Sequence, residues 1–442
     1  MNLNRTNLAT LNHVESSRAA ERIVHLGIGA FHRAHQAWYT ARVDREQNWG
    51  IVAFTGRSPK AAEKLSQQDG LFTLVTRDSN ADSYQIIDSI VRAEDGSDAA
   101  TLTDVIAKSE TAIVTLTITE AGYEMDPEGH VDLQNPPAIL SRLAAALETR
   151  RRANGLGLAI VSCDNMPSNG SLLKVAMNDL FAVYGAEALS WLNDKVSFVS
   201  TSVDRITPRT TTEDTEQVAK ATGWEDSSPV VTEPFSDWVL QGEFPLGRPQ
   251  WERAGAKFVD EIEPFENRKL WLLNGAHSLL AYLGQLRGLE TVDEAIRDSR
   301  CRSQVELFWD EAERHLKESS LEIPKYRAAL LNRFENSRIA HRLSQIAIDG
   351  ATKLRVRIIP VAKAELADGR SAAGCASAIA GWVAYVMKNQ KVQDSKSQEI
   401  SKALAGSPTG LAQRLVSVLD LQVANDSKFM SLVSEEITAL KI

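Results

Sequence analysis

The segment Lys269-Leu270-Trp271-Leu272-Leu273-Asn274-Gly275-Ala276-His277 sets three polar side chains of different chemistry in an apolar stretch. Read as an α-helix at ~100° per residue, Asn274 lies ~140° round from Lys269 and His277 ~80° round, all on one side. Leu, Trp, Ala and Tyr fill the rest, which predicts a buried helix. Polar groups on such a helix are hydrogen-bonded or functional. The trio suits removal of a hydroxyl proton. A lysine desolvated in an apolar site drops from ~10.4 towards neutrality and can act as general base. An asparagine amide can donate to the alkoxide that develops, and a histidine can hold a substrate oxygen. No cluster of metal ligands is visible to do the same work. Spacing alone favours a solvated lysine at a helix start, with Asn274 and His277 in core hydrogen bonds.

A second group of residues could hold the hydride acceptor that alcohol oxidation requires. Gly27-Ile28-Gly29 follows a strand-like run, Arg22 to Gly29, and precedes a helical stretch, Phe31 to Arg45. Glycines in such a turn let the backbone approach a pyrophosphate, and the helix start supplies N–H donors. Gly27, Gly29, Ala30 and Phe31 are therefore cofactor candidates. The third glycine of the usual GxGxxG is replaced by His32. GxG alone also describes an ordinary strand-to-helix turn, but its place at the start of an α/β half favours a dinucleotide. After the second apolar run, Gly50 to Gly56, the loop to Lys60 lacks the acid that NAD enzymes carry for the ribose. Arg57 and Lys60 could hold a 2′-phosphate or be solvated loop cations. NAD is the expectation, with NADP open. Ser162-Cys163-Asp164-Asn165 and Asp204-Arg205-Ile206-Thr207-Pro208 end two further strands, where open α/β sheets bind ligands. Asn165 could be a second alkoxide donor, and Asp204 could orient or tune Lys269. Turn chemistry accounts for both stretches as well.

These side chains need a scaffold, and the pattern along the chain supplies one. Gly50 to Gly56, Leu71 to Thr76, Tyr84 to Val91, Ala112 to Thr119, Gly157 to Ser162 and Val196 to Val203 read as strands. Leu71 to Thr76 with Tyr84 to Val91 suggests an inserted antiparallel pair. Ile139 to Arg152 is helical by period. Strands alternating with helices imply a mainly parallel sheet covered on both faces. From about Glu266 the segments are long and helical: Asp293 to Glu318, Ala376 to Lys388 and Leu411 to Leu421. Only Leu354 to Ile359 reads as a brief strand there. The pattern breaks at residues 259 to 266, giving domains of 1–262 and 263–442.

At 442 residues two domains are the prior, and 43% hydrophobic with 24% charged residues is ordinary for a globular chain. A net charge of −9 argues against nucleic acid as partner. Three dispersed cysteines fit a reducing compartment. Met1 to Ala20 has no signal-peptide core, and no run of ~18 apolar residues predicts a membrane span. A cytoplasmic protein is expected.

Taken in order, LGIGAFHRAHQAWY (Leu26 to Tyr39), QDGLFTLV (Gln68 to Val75), TLTITEAGY (Thr115 to Tyr123), SCDN (Ser162 to Asn165), VDRITP (Val203 to Pro208), KLWLLNGAHSLLAYLG (Lys269 to Gly284) and DGATK (Asp349 to Lys353) resemble the polyol-specific long-chain dehydrogenases, the group of mannitol 2-dehydrogenase and fructuronate reductase. The resemblance implies a Rossmann-type N-terminal domain and a mostly α-helical C-terminal domain, with the site between them. It implies Lys269 as metal-independent general base, an oxyanion hole from Asn165 and Asn274, and His277 positioning substrate. Asp204 and Lys353 would line the site, and Glu120 would gate proton exit or shape the pocket. It is compatible with a monomer.

The sequence also departs from that family. Gln345 stands where the family has a substrate-binding arginine, eight residues before Lys353. Ala121 follows the Thr-Glu pair where lysine is frequent, and the loop after the second strand has no acid. The expected reaction is transfer of hydride between NAD(P) and a sugar polyol or its ketose, with D-mannitol and D-fructose first. A hexuronate reductase, acting on fructuronate or tagaturonate, and a dehydrogenase of a phosphorylated hexitol (mannitol-1-phosphate) are the alternatives. A carboxylate substrate would want a cation in the pocket, and Gln345 argues against it. A catalytically silent NAD(P) sensor is the non-enzymatic alternative, which Lys269, Asn274, His277 and Asn165 together oppose.

Overall fold

The computed structural model of the chain describes residues 1–12, 18–56, 58–339 and 341–440. It divides into two units, Met1–Glu263 and Pro264–Ile442.

Runs that are apolar on both faces become parallel strands in the first unit. The strands are β1 (Glu21–Leu26), β2 (Gly50–Phe54), β3 (Phe72–Arg77), β4 (Asp82–Ile87), β5 (Ile90–Glu94), β6 (Ile113–Leu116), β7 (Leu158–Ser162), β8 (Val196–Asp204), β9 (Val230–Thr232), β10 (Asp237–Gln241) and β11 (Lys257–Phe258). β2, β6 and β7 are buried at every position. Eight strands form one sheet in the order β11-β10-β8-β7-β6-β1-β2-β5. It is parallel throughout except where β10 runs against β8. Alternate residues feed two cores: Val24, Val52 and Val114 pack on one face, Ile23, Ile51 and Ile113 on the other. From β1 the chain runs out to β2 and β5, then returns to β6 on the other side of β1. That reversal is a topological switch point, where doubly wound sheets open a ligand crevice.

β3, β4 and β9 form a separate small sheet, with β3 and β4 the antiparallel pair. The single strand expected over Tyr84 to Val91 is instead two strands in different sheets. The chain breaks at Asp88 and Ser89. There Arg5 Nη2 donates to the Asp88 and Ile90 carbonyls at 2.7 and 3.2 Å, and Ser89 Oγ donates to Ala37 O at 2.8 Å.

The second unit is helical among its described residues. Its buried centre is the helix Ala373–Asn389, packed against Ala276–Leu286. Two expectations fail here. The helix predicted over Asp293 to Glu318 is two helices, because the Asp298 carboxylate accepts the Arg300 and Cys301 amides and starts a new helix, Ser299–Glu313. Leu354 to Ile359 is not a strand but the end of one helix, Gly350–Arg357, and the start of another, Ile359–Ala367. Leu354 and Ile358 are buried while Arg355 and Val356 are exposed, a spacing of one helical turn that resembles alternation over so short a run. Among the described residues no helix is long and apolar enough to cross a membrane.

Candidate active site

In the first unit, four loops line the carboxyl ends of neighbouring parallel strands β1, β6, β7 and β8. The glycine turn follows β1. Gly27 has φ +108°, and a Cβ there would collide with the Thr117 carbonyl, so only glycine fits. Gly29 differs: it is exposed and extended, and the nearest atom to an added Cβ is Gly27 O at 3.7 Å. No neighbouring protein atom requires glycine there; the open space lies at the start of a helix that runs through Ala30–His32, Arg33–Ala37 and Trp38–Val43. Ala30 and Phe31, both half-buried, open that helix. An open glycine beside a helix N-terminus fits a dinucleotide pyrophosphate.

The residues after the turn are architectural. Arg33–Ala37 is a π-helical segment with all five residues buried. Arg33 donates to Ser228 O and Oγ at 2.6 and 2.9 Å, and Arg205 donates to Ala34 O at 2.5 Å. His32 turns inward and stacks flat on His25, with ring centroids 3.3 Å apart. His25 in turn bonds Thr115 and Thr117. Burial drives both imidazoles down, His25 to about 3. Arg57 lies outside the described residues. An acid does stand near the end of β2: Asp95, just beyond β5, accepts from Thr55 Oγ1 at 3.5 Å.

Asp164 explains how the second and third loops are held together. Its buried carboxylate accepts Ile118 N at 3.1 Å, Thr119 N at 2.8 Å and Tyr123 Oη at 2.7 Å. Thr119 sits at φ +64°, a left-handed conformation these bonds support. The result places Glu120 and Asn165, both exposed, on two loops joined by one carboxylate. Asp204 is buried at the end of β8, paired in register with Asp237.

Glu263–Arg268, Lys269–Gly275 and Ala276–Leu286 form one continuous helix whose middle is a π-helix, in the second unit from Pro264 onward. The α-helical angles expected for this segment therefore do not hold. With i→i+5 pairing, positions five apart come nearly one above the other, so Lys269 and Asn274 share a face. His277 follows three residues later on the α-helical part. Lys269 and Asn274 are half-buried and His277 is buried. A π segment displaces backbone carbonyls from their usual partners, and neighbouring helices take them up. Trp309 Nε1 donates to Leu272 O at 2.8 Å, and Arg357 Nη1 donates to Asn274 O at 3.3 Å and Ser278 Oγ at 3.0 Å.

His277 packs against the rings of Phe334 and His341, with centroids 4.9 and 5.0 Å away. Its Nε2 has no hydrogen-bond partner among the described residues. Burial holds its pKa far below the usual value, and His341, Arg333, Arg357 and Lys353 push the same way. Lys353 Nζ donates to Ile346 O at 3.1 Å, and its own pKa is lowered by burial and by Arg357. Gln345 is exposed in the short helix Leu343–Ile346 and bonds none of these groups.

The second unit thus brings together Lys269, Asn274, His277 and Lys353, without Gln345. Arg357, Arg333 and His341 belong to the same cluster and were not singled out in the sequence. Arg357 carried a signal: it lies four residues after Lys353, one turn along the same helix face. Arg333 and His341 come from other segments with no spacing to betray them. Among the described residues no group of three or more His, Cys, Asp or Glu side chains is placed to hold a metal ion.

Residues 21–253 match the mannitol dehydrogenase Rossmann domain, and residues 261–441 match the mannitol dehydrogenase C-terminal domain. The chain is 35% identical over 395 residues to D-mannonate oxidoreductase of Escherichia coli, covering 84% of this chain and 81% of that one. It is 36% identical over 358 residues to D-arabinitol 4-dehydrogenase of Ralstonia nicotianae, covering 76% and 77%. Among solved structures, Pseudomonas fluorescens mannitol 2-dehydrogenase in ternary complex with NAD and D-mannitol is similar with a TM-score of 0.81, 30% identity, and coverage of 100% of this chain and 97% of that one.

Proposed function

This chain belongs to the mannitol dehydrogenase family of NAD(P)-dependent polyol dehydrogenases, and we propose that the alcohol it oxidises is that of a sugar acid, D-mannonate to D-fructuronate. The observation that carries this is the charge around His277. Beyond burial, Arg333, Arg357 and Lys353 all act on that imidazole as cations, while Asp349 and Asp394 act on Lys353. A linear polyol is neutral and gives such a field nothing to bind, whereas a carboxylate does. The cation that Gln345 fails to provide is supplied by Arg357. The D-mannonate oxidoreductase of E. coli is one of the relatives. A second reading, D-mannitol and D-fructose, is favoured by the likeness to the mannitol 2-dehydrogenase structure.

The cofactor, when bound, accepts hydride from the carbinol carbon or returns it to the ketone. Gly27, Gly29 and the amides of Ala30 and Phe31 hold its pyrophosphate. We read it as NAD, with Asp95 serving the ribose in place of an acid after β2. Lys269 takes the hydroxyl proton. Asn274 is suited to donate to the developing alkoxide, because no described residue engages its side-chain amide. His277, kept neutral, presents Nε2 to a neighbouring substrate hydroxyl. Lys353 lines the site in the second unit.

The test is NADH and NADPH oxidation with D-fructuronate, D-fructose and D-fructose 6-phosphate, for the native enzyme and Arg357→Leu. D-Fructuronate should be the best substrate, and the variant should lower its kcat/KM relative to D-fructose by at least ~10-fold. A native preference for D-fructose would replace this reading with the second. Cofactor binding with no turnover on any of the three would point to the sensor.

A further inference from the structure

The end of the first unit's sheet opposite the glycine turn carries a cavity of about 800 Å³ whose wall includes Arg42, Arg45, Arg248 and Arg253. It opens at the loop before β2, whereas the glycine turn follows the far end of the parallel strand β1. One strand length, roughly 17 Å, separates those edges. Two carboxylates, Asp44 and Glu46, share the wall. Asp44 is already committed: its oxygens accept Asn48 N at 2.9 Å and Trp49 N at 2.6 Å, closing the loop. Glu46 accepts only from the Asn48 side chain at 3.2 Å. Arg248 is paired with Glu252 at 2.6 Å and lies over the Phe258 ring. Arg42, Arg45 and Arg253 are exposed, and no described carboxylate is in ion-pair contact with any of them. One face of Trp49 is covered by the Arg22 guanidinium at 3.9 Å.

Three guanidinium groups without an ion pair among the described residues, Arg42 lying 5.1 Å from the Trp38 ring centroid, repel one another in one concavity, in a chain whose net charge is −9. An anion placed among them removes that repulsion. Guanidinium forks match phosphate oxygens two at a time, and three of them exceed what a singly charged ligand can satisfy. We infer that this cavity is a second binding site, separate from the catalytic edge, for a small molecule bearing at least two phosphate charges. A phosphate ester and an inorganic polyphosphate share this chemistry.

The experiment is a calorimetric titration of the full chain with inorganic pyrophosphate, at fixed ionic strength and with NADH saturating so that the glycine turn is filled. Native protein should bind it saturably. The double variant Arg45→Ala/Arg253→Ala, changed only at exposed positions, should bind at least about tenfold more weakly. Glu46→Gln, which removes a negative charge from the wall, should bind more tightly. Absence of saturable binding, or equal affinity in the double variant, would each overturn the site. Repeating the titration with glycerol 2-phosphate separates the sources: tighter binding of the ester assigns a phosphorylated metabolite, tighter binding of pyrophosphate a polyphosphate. Weaker binding of both than of chloride would reject phosphate altogether.

Discussion

Lys269 and Asp164 show two ways a single polar residue can matter. If Lys269 is the general base, Lys269→Ala should lower kcat by ~10²–10⁴-fold. NADH affinity, followed by fluorescence, should stay within a few-fold, because the glycine turn belongs to the other unit. Unchanged turnover in the folded variant would remove the lysine from the mechanism. Asp164 touches no reacting atom in this scheme, yet it holds three donors from the loop after β6. Asp164→Ala leaves two backbone amides and a buried tyrosine hydroxyl without their acceptor. The expected cost is about 2–4 kcal/mol of stability, measured by urea unfolding. Activity should fall as well, since Thr119 loses its support beside Glu120. An unaltered unfolding midpoint would show that the loop is held by other contacts.

The π segment Lys269–Gly275 is where an element rather than a residue decides the chemistry. Its turn depends on Gly275, where an added Cβ would lie 2.6 and 2.8 Å from two ring atoms of Phe308. Gly275→Ala should therefore destabilise the helical unit by about 1–3 kcal/mol through overpacking. It should also lower kcat, because shifting the turn moves Asn274 relative to Lys269. Gly275→Ala/Phe308→Leu should recover much of the stability. A double variant no better than the single one would place the strain elsewhere. The π turn also marks what the sequence could reveal. The order of strands and helices, the glycine turn and the lysine helix were legible because each is encoded locally, in apolar period and glycine placement. The π segment was not. It depends on Trp309 and Arg357, from two other helices, donating to the displaced Leu272 and Asn274 carbonyls. The split of Tyr84 to Val91 into two sheets was hidden for the same reason, since Arg5 at the far N-terminus satisfies the carbonyls at the break. Arg357 and Arg333 act on His277 from two other helices, and only Arg357, four residues after Lys353, had a spacing to show it.

At the scale of the molecule, both units bury histidines in the neutral state, and this sets how the protein meets acid. His25 and His32 lie in the first unit, His277 and His341 in the second, and burial lowers the pKa of all four. An unfolded histidine takes up a proton as pH falls through its ordinary value of 6.5, whereas folded His25 does so only near 3. Between those values the unfolded state binds more protons, so stability is lost as pH falls. Each such histidine should cost about 1.4 kcal/mol per pH unit below 6.5. Glu365 adds a later loss. Its buried carboxylate, though pushed up by desolvation, is bound by Arg314, Arg370 and His315 and held at about 2, against an ordinary 4.5. Its contribution is present above 4.5 and disappears between 4.5 and about 2, in the helical unit alone. Urea unfolding from pH 7.5 down to 5.0 should therefore show a steady fall that starts near 6.5. In His32→Leu, where an apolar side chain replaces one member of the stacked pair, the fall should be shallower by about one histidine's share. A profile flat from 7.5 to 5.0, or a variant with the native slope, would mean that these imidazoles take up protons without unfolding.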